Sequence, residues 1–443
     1  MSATRGVGHD DYALERVPAK ARYSWWSVCV QRFGQLSCLS QFLIGATLGF
    51  GMSFWQAVLA ITLGSVILEV VAIFTGIAGQ REGLSTSVLT RWTGFGRYGS
   101  SLVGLAVALS LIGWFGVQSA ISARGLTELI GVLPTWGWAL VFGMAVTGIV
   151  VWGFGSMAWT AYITVPAFLL LAGYAIYTEL SKHALSDLVS SPAPGPQISL
   201  AAGTTLVAGG FIVGMVMTPD MTRFNRSTGD VVKQTFVGVT VGEYVIALVG
   251  VLLAHAVGTS DIIGIVTSSA GLLGTLIIVA STVKINDWNL YSASLGVVNF
   301  GKTVFGVTLH RGLVTLTVGA IGSVLAAAGI LESFTDFLIV LGVAFPPLAG
   351  IIIAEYFFVR LWRKDLDESG DALPASCPTW VPTTLVVWGL SWAVGYYVEF
   401  GIASINALVA SFLLYLVAGK LGLVRPLGIS RTEPARLVDD QHA

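Results

Sequence analysis

Apolar runs of roughly 20 residues, the length that crosses a bilayer as a helix, recur along this chain between short polar connectors. They fall at 28–50, 54–78, 101–123, 136–159, 162–180, 200–218, 234–256, 272–298, 313–330, 334–359, 381–400 and 403–421. The pattern predicts twelve spans, an even number that leaves both ends of the chain on one side. No window alternates apolar and polar positions, so helices rather than barrel strands are expected.

Lys and Arg set the orientation. With cytoplasmic termini, 20 of the 23 basic residues fall on the inner side, Arg124 and Lys182 fall outside, and Lys284 belongs to neither. The connector "SKHALSDLVSSPAPGPQISL" separates the fifth and sixth spans, and "RLWRKDLDESGDALPASCPTWVP" follows the tenth. Two sets of five spans have opposite orientation, the arithmetic of an inverted repeat. The expected division is a tail at 1–25, five-helix repeats at 26–185 and 186–365, an appended hairpin at 366–422 and a tail at 423–443.

Composition agrees. The 443 residues are 55% hydrophobic and 11% charged, against about 25% charged in soluble domains, and mean hydropathy is +0.81. The expected class is an all-α integral membrane protein in the cell membrane. Its net charge of −1 offers no field for nucleic acid. Cys29, Cys38 and Cys377 show no paired spacing, so neither a disulfide, a metal site nor a cofactor is expected. The polar start "MSATRGVGHDDYALERVPAKARYSWW" does not read as a signal peptide. His9, His183, His255, His310 and His442 lie at ends or connectors, and HExxH, GxSxG and Walker patterns are absent, which argues against an enzyme.

Two spans carry helix-weakening chemistry. Gly34, Ser37, Ser40, Gln41 and Gly45 crowd the first, and the sixth holds Gly209, Gly210 and Gly214 with Pro219 near its end. Glycine costs about 1 kcal/mol inside a helix, and small residues equally serve close packing. Matching disruptions in corresponding spans suit broken helices that expose backbone groups to a solute. In the third span Trp114 and Gln118 are i and i+4, hence on one face. With Phe211, and with Asn286 and Asp287 of the eighth span, they suggest a small planar solute held between rings and hydrogen-bonded at its edge. Each also has an ordinary reading, as a packing aromatic or an interhelical amide worth about 0.6 kcal/mol.

Lys284 is the anomaly, since a charge at mid-bilayer costs at least about 2.5–3.5 kcal/mol. Asp287, at i+3, is its expected partner. Glu69 and Glu243 add carboxyls to the second and seventh spans, as proton carriers or fixed counter-charges. Arg32 is expected to snorkel to the headgroups. Asp220 and Arg223 read as gate or loop-ordering residues.

The segments "GWFGVQSA", "GGFIVGMVMTPDMTRFNR", "INDWNLYSASLGVVNF" and "AFPPLAGIIIAEYFFVR" resemble those of the nucleobase–cation symporter-1 family, and are similar to bacterial cytosine/purine permeases. The resemblance implies the five-plus-five inverted-repeat fold shared with the bacterial leucine transporter, plus two C-terminal helices. It also implies alternating access and import of a nucleobase or related ring; allantoin, hydantoin or a thiamine-type pyrimidine is the alternative cargo, and uncoupled uniport the alternative mode. By the same likeness Trp114 and Phe211 sandwich the ring, Gln118 matches the hydantoin-transporter branch, Asn286 and Asp287 contact the cargo, and Gly210 offers backbone. Sodium-coupled members bind the ion between first-span carbonyls, matching Gly34 and Ser37, and eighth-span hydroxyls. Here those hydroxyl positions are Lys284 and Ile285, so the resemblance implies that an ammonium replaces sodium and that coupling is to protons.

Overall fold

The computed structural model of the chain describes residues 12, 15–36, 39–151, 170, 173–174, 176–178 and 180–432. Most of the fifth predicted window, all of Ser37 and the outer parts of both tails lie outside the described residues.

Among the described residues, Phe54–Glu82, Gly96–Ile130, Thr228–Val257, Phe334–Val359 and Ala403–Lys420 are long and apolar enough to cross a membrane. Leu39–Gly51, Thr135–Val151, Leu200–Val216 and Arg311–Ala327 are shorter apolar helices. Local chemistry sets several boundaries. Phe54–Glu82 begins where the Ser53 amide donates to Gln56 Oε1 (3.3 Å) and ends at Gly83, whose φ of 64° disfavours any side chain. Ile262–Phe305 is bent at Gly271 (φ 52°, ψ −128°), a conformation open essentially to glycine alone.

The sixth span differs from expectation. Gly209, Gly210 and Gly214 all lie inside the regular helix Leu200–Val216; the chain leaves it at Met217 and resumes at Pro219–Thr222. Proline lacks the N–H that would continue the ladder and disfavours helical geometry in the residue before it, so Pro219 rather than the glycine pair marks the break. The glycines serve close packing. A Cβ on Gly209 would collide with the Leu338 carbonyl, and one on Gly210 would sit 2.5 Å from Ile44 Cδ1. A second break falls between Phe334–Ala344 and Pro346–Ile353. There Leu348 N turns to the Phe345 carbonyl, and the freed Ala344 carbonyl accepts from Trp388 Nε1 (3.2 Å).

Glycine also lines two seams between helices. In one, Leu39–Gly51 packs on Thr228–Val257, with Gly45 against the Ala247 backbone and Gly49 within 2.6 Å of the Val251 carbonyl by the same Cβ test. In the other, Leu200–Val216 and its continuation pack on Phe54–Glu82, with Gly64 2.5 Å from Val207 and Gly79 2.5 Å from Pro219. The first helix of each sequence half thus lies against the second helix of the other.

One expectation about the ends needs correction. The fold is not purely helical: Ser376–Trp380 and Leu427–Arg431 form an antiparallel two-stranded sheet, Cys377 opposite Ser430. Residues 15–24, ahead of the first helix, dock on the rest of the chain. Arg16 donates to Glu82 Oε2 (2.8 Å), the Leu366 carbonyl (3.0 Å) and the Ala372 carbonyl (2.9 Å). Glu82, 4% exposed, also accepts from Arg363 (2.8 Å) and Tyr356 (2.5 Å), tying this strap to the second and tenth spans.

Gly209→Ala is expected to lower stability by about 1–3 kcal/mol, the cost of overpacking a tight seam. Gly104→Ala, inside a helix where nothing lies within 4 Å, should instead keep or raise stability, by up to about 1 kcal/mol of helix propensity. Thermal unfolding in detergent followed by tryptophan fluorescence checks the pair.

Candidate functional site

The middle of the third span is wholly buried from Ser110 to Ala123. Its outward pairing is therefore with other helices rather than lipid. Trp114 meets two rings of the tenth span edge-on, Phe337 at 5.4 Å between centroids and Phe334 at 6.2 Å. Phe211, half-buried, folds over its own helix, 2.9 Å from the Cβ position of Gly214. Trp114 and Phe211 make no ring contact with one another among the described residues.

One turn beyond Trp114, Gln118 donates Nε2 to Ser40 Oγ (3.0 Å), while its Oε1 is buried without a partner. Next to Ser40, Gln41 donates Nε2 to Glu243 Oε1 (3.4 Å). Gln41 Oε1 and Glu243 Oε2 are also buried and unpartnered. Gln41 Oε1 points to the sixth span, 3.9 Å from the Cβ position of Gly210. Residues 40 and 41 thus bring the first, third, sixth and seventh spans to one place, and the acceptors left open there suit a ligand that donates hydrogen bonds.

Asn286 is differently occupied. Its Nδ2 donates to the Phe115 carbonyl (3.1 Å) and Ser119 Oγ (3.0 Å), and its Oδ1 accepts from Asn289 (3.3 Å). Both amide protons already bind the third span, which makes Asn286 a clamp between helices rather than an open edge. Ser122 and Thr282 bond one turn further along the same seam. Lys284 Nζ lies 3.4 Å and 3.5 Å from the two oxygens of Asp287, whose side chain is fully buried while the lysine's is 33% exposed. Lys284 donates to both oxygens of this carboxylate. Gly34 closes the third turn of helix Trp25–Leu36; Ser37 lies outside the described residues.

Arg32 does not snorkel. It is 1% exposed and donates to the Gly214 carbonyl (3.3 Å) and Thr218 Oγ1 (3.0 Å). Its target is the broken end of the sixth span, where Thr218 N has turned to the Met215 carbonyl and the Gly214 carbonyl accepts from Arg32 and from the Thr218 hydroxyl (3.4 Å) instead. A cation at a helix C-terminus also meets the negative end of the macrodipole. Glu69 accepts from Thr240, one turn before Glu243 on the seventh span. Asp220 accepts from the Thr86 amide (2.9 Å) and hydroxyl (3.3 Å), docking the end of the sixth span on the loop after the second. Burial pushes the Asp220 carboxyl up, opposed by the Arg223 guanidinium and the bonds from Thr86. Arg223 donates to the Asp220 carbonyl (3.2 Å) and the Tyr12 carbonyl (2.6 Å). No group of three or more metal-ligating side chains occurs among the described residues.

Sequence reasoning did not single out Phe334 and Phe337, which flank Trp114 from fifty residues or more beyond the last candidate aromatic, nor the pairing of Gln41 with Glu243. A mid-span Gln and a mid-span Glu were both visible; their meeting depends on tertiary packing.

Residues 16–372 match the profile of a family described as permease for cytosine/purines, uracil, thiamine, allantoin. The chain is 28% identical over 411 residues to the cytosine permease of Escherichia coli (strain K12), covering 92% of this chain and 94% of that protein. It is 24% identical over 425 residues to the hydantoin permease of Microbacterium maritypicum, covering 89% and 84%. Among solved structures it is similar to Mhp1 in an inward-facing conformation, with a TM-score of 0.78 and 20% identity over 96% of each chain. Mhp1 in a closed conformation with bromovinylhydantoin bound gives 0.73 and 20%, over 92% of this chain and 95% of that one.

Leaving Asp287 buried without its lysine should cost about 1–3 kcal/mol, as for an unsatisfied buried acceptor. Lys284→Met is therefore expected to lower the unfolding temperature, and Lys284→Met combined with Asp287→Asn to regain most of the loss, measured as a double-mutant cycle in detergent.

Proposed function

Because the chain belongs to the family of permeases for cytosine/purines, uracil, thiamine and allantoin, the nucleobase–cation symporter-1 family, we propose that it is a secondary transporter importing a nucleobase or related planar heterocycle, cytosine- or purine-like, by alternating access. One observation carries the reading of the site. Gln118 holds a buried, unpartnered carbonyl oxygen one helical turn from Trp114, and Ser40 fixes its amide end. A ring lying on the Trp114 indole would donate its edge N–H to that oxygen. Phe211 would close over its second face, which fits the absence of direct contact between the two aromatics, since an inserted ring takes that space. Gly210 borders the same region beside Gln41, Asp287 is assigned to it by the family likeness alone, and Asn286 supports it from behind by clamping the eighth span to the third.

In this reading the twelve spans form two inverted five-helix repeats, 26–185 and 186–365, followed by the hairpin 366–422, in the cell membrane with both tails, 1–25 and 423–443, cytoplasmic. The crossed glycine seams support it: each repeat's first helix rests on the other's second. The Lys284 ammonium takes the place of the sodium ion near Gly34 and Ser37, with Asp287 as its counter-charge, and protons drive transport through Glu69 or Glu243. Asp220 and Arg223 order the inner gate through Thr86 and Tyr12.

Uptake of radiolabelled cytosine into proteoliposomes, with uracil, adenine, hypoxanthine, allantoin, hydantoin and hydroxymethylpyrimidine as competitors, tests the function. Saturable uptake blocked by at least one planar ring is expected, and Trp114→Ala should abolish it. Absence of any saturable uptake or competition, or undiminished affinity in Trp114→Ala, would overturn the reading.

A further inference from the structure

Glu243 stands out among the buried carboxyls. It is 1% exposed, its Oε1 has one long bond from an amide, and its Oε2 has none. The described carboxyls buried to a similar degree elsewhere are better answered. Glu82 has Arg16, Arg363 and Tyr356, and Glu355 has two backbone amides and Tyr415.

The groups facing Glu243 from the surrounding helices do not neutralise it. Leu39–Gly51 carries no titratable side chain. On Trp25–Leu36, Arg32 lies against Gly238 but gives its bonds to the sixth span, and Cys29 is one turn further away. From Phe54–Glu82, Glu69 is engaged by Thr240, and Arg81 and Glu82 sit at the helix end. From Ile262–Phe305, Lys284 is paired with Asp287, Tyr291 lies under Arg311, and Lys302 is in the last turn. Asp187 sits on the short helix that packs near the other end. On its own helix Tyr244 bonds Thr62, His255 bonds the Leu188 and Met52 carbonyls, and Asp230 and Lys233 lie at the start. An ionised carboxylate without water or a cation is costly to bury, whereas a protonated one is not.

Gln41 gives that proton a consequence. Its amide touches Glu243 with one end and turns the other toward Gly210, beside Phe211. When Glu243 is ionised, the Gln41 NH2 group donates to it and the carbonyl oxygen faces the sixth span. When Glu243 is protonated, its O–H donates to the Gln41 carbonyl. The amide then reverses and offers NH2 at the same point, at no change in shape. A ring acceptor, a carbonyl oxygen or an unprotonated ring nitrogen, meets a donor there in one protonation state and a repelling oxygen in the other.

We propose that Glu243 is the proton-binding residue of this transporter and that Gln41 is a positioning residue that turns its protonation into donor-or-acceptor polarity beside the cargo. The inference rests on the transporter reading above. In each cycle one O–H bond forms on Glu243 from the outer aqueous phase and the same bond breaks toward the inner phase. One proton thus accompanies each ring, and no redox step occurs.

The test measures binding of a planar nucleobase, identified by the competition panel, to purified full-length protein across a pH series. Failure of the wild type to bind any ring would fault the transporter reading. Binding that ignores pH, or that requires sodium, would overturn the present proposal alone. The expected result is affinity that weakens as pH rises in the wild type, with that pH dependence lost in Glu243→Gln and in Gln41→Met. Retention of the wild-type profile in either variant contradicts it. Should both variants fail to fold, the wild type alone decides: ring binding in weakly buffered solution must take up protons, detected by a pH dye, and binding without uptake refutes the assignment.

Discussion

Inside a bilayer no water answers a polar group, so every donor and acceptor must find its partner on another helix or face a cargo. The partnerships found here follow from that constraint. Arg32 supplies the carbonyl freed where Pro219 ends the sixth span, Trp388 supplies the one freed before Pro346, and Asn286 holds the third and eighth spans together. Gln41, Gln118 and Glu243 are among the buried acceptors left open, and these three gather around residues 40 and 41. Their clustering beside Trp114 and Gly210 is what supports the proposed binding site.

The same constraint separates rigid from movable contacts. Where the first helix meets the seventh span, and the sixth the second, backbones approach so closely that even a methyl group would collide. Such interlocked pairs resist sliding past one another. The inner end of the sixth span adds to its Gly79–Pro219 contact a handful of hydrogen bonds, from Arg32, Thr86 and Arg223, which break and reform at modest cost. A strap ending in Arg16 adds a further set on the Glu82 side. Alternating access in this architecture would preserve the glycine seams and exchange the polar ends.

Much of this was legible in the chain. Apolar windows located the helices because bilayer thickness fixes their length, and Lys284 with Asp287 was readable as an i,i+3 pair. Of the helix-weakening residues visible in the sixth span, Pro219 carries the break, while Gly209, Gly210 and Gly214 stay helical. Glycine tolerates several backbone states, whereas proline removes a donor outright. Arg32 looked like a surface residue because its partner carbonyl exists only after Pro219 interrupts a distant helix. The strands 376–380 and 427–431 pair across some fifty residues, and short polar runs leave no periodic trace of such pairing. For the site, Trp114 and Gln118 shared a visible face, but Gln41 and Glu243 met only through the glycine seam between their helices.

The central claim is that a proton, and not a metal ion, travels with the ring. Proteoliposomes loaded with a pH-sensitive dye, in sodium-free buffer, test it most directly when an external nucleobase is added without any imposed gradient. The account predicts that the lumen acidifies as the ring enters. Ring entry that leaves lumenal pH unchanged, and that is accelerated when sodium is restored, would contradict it.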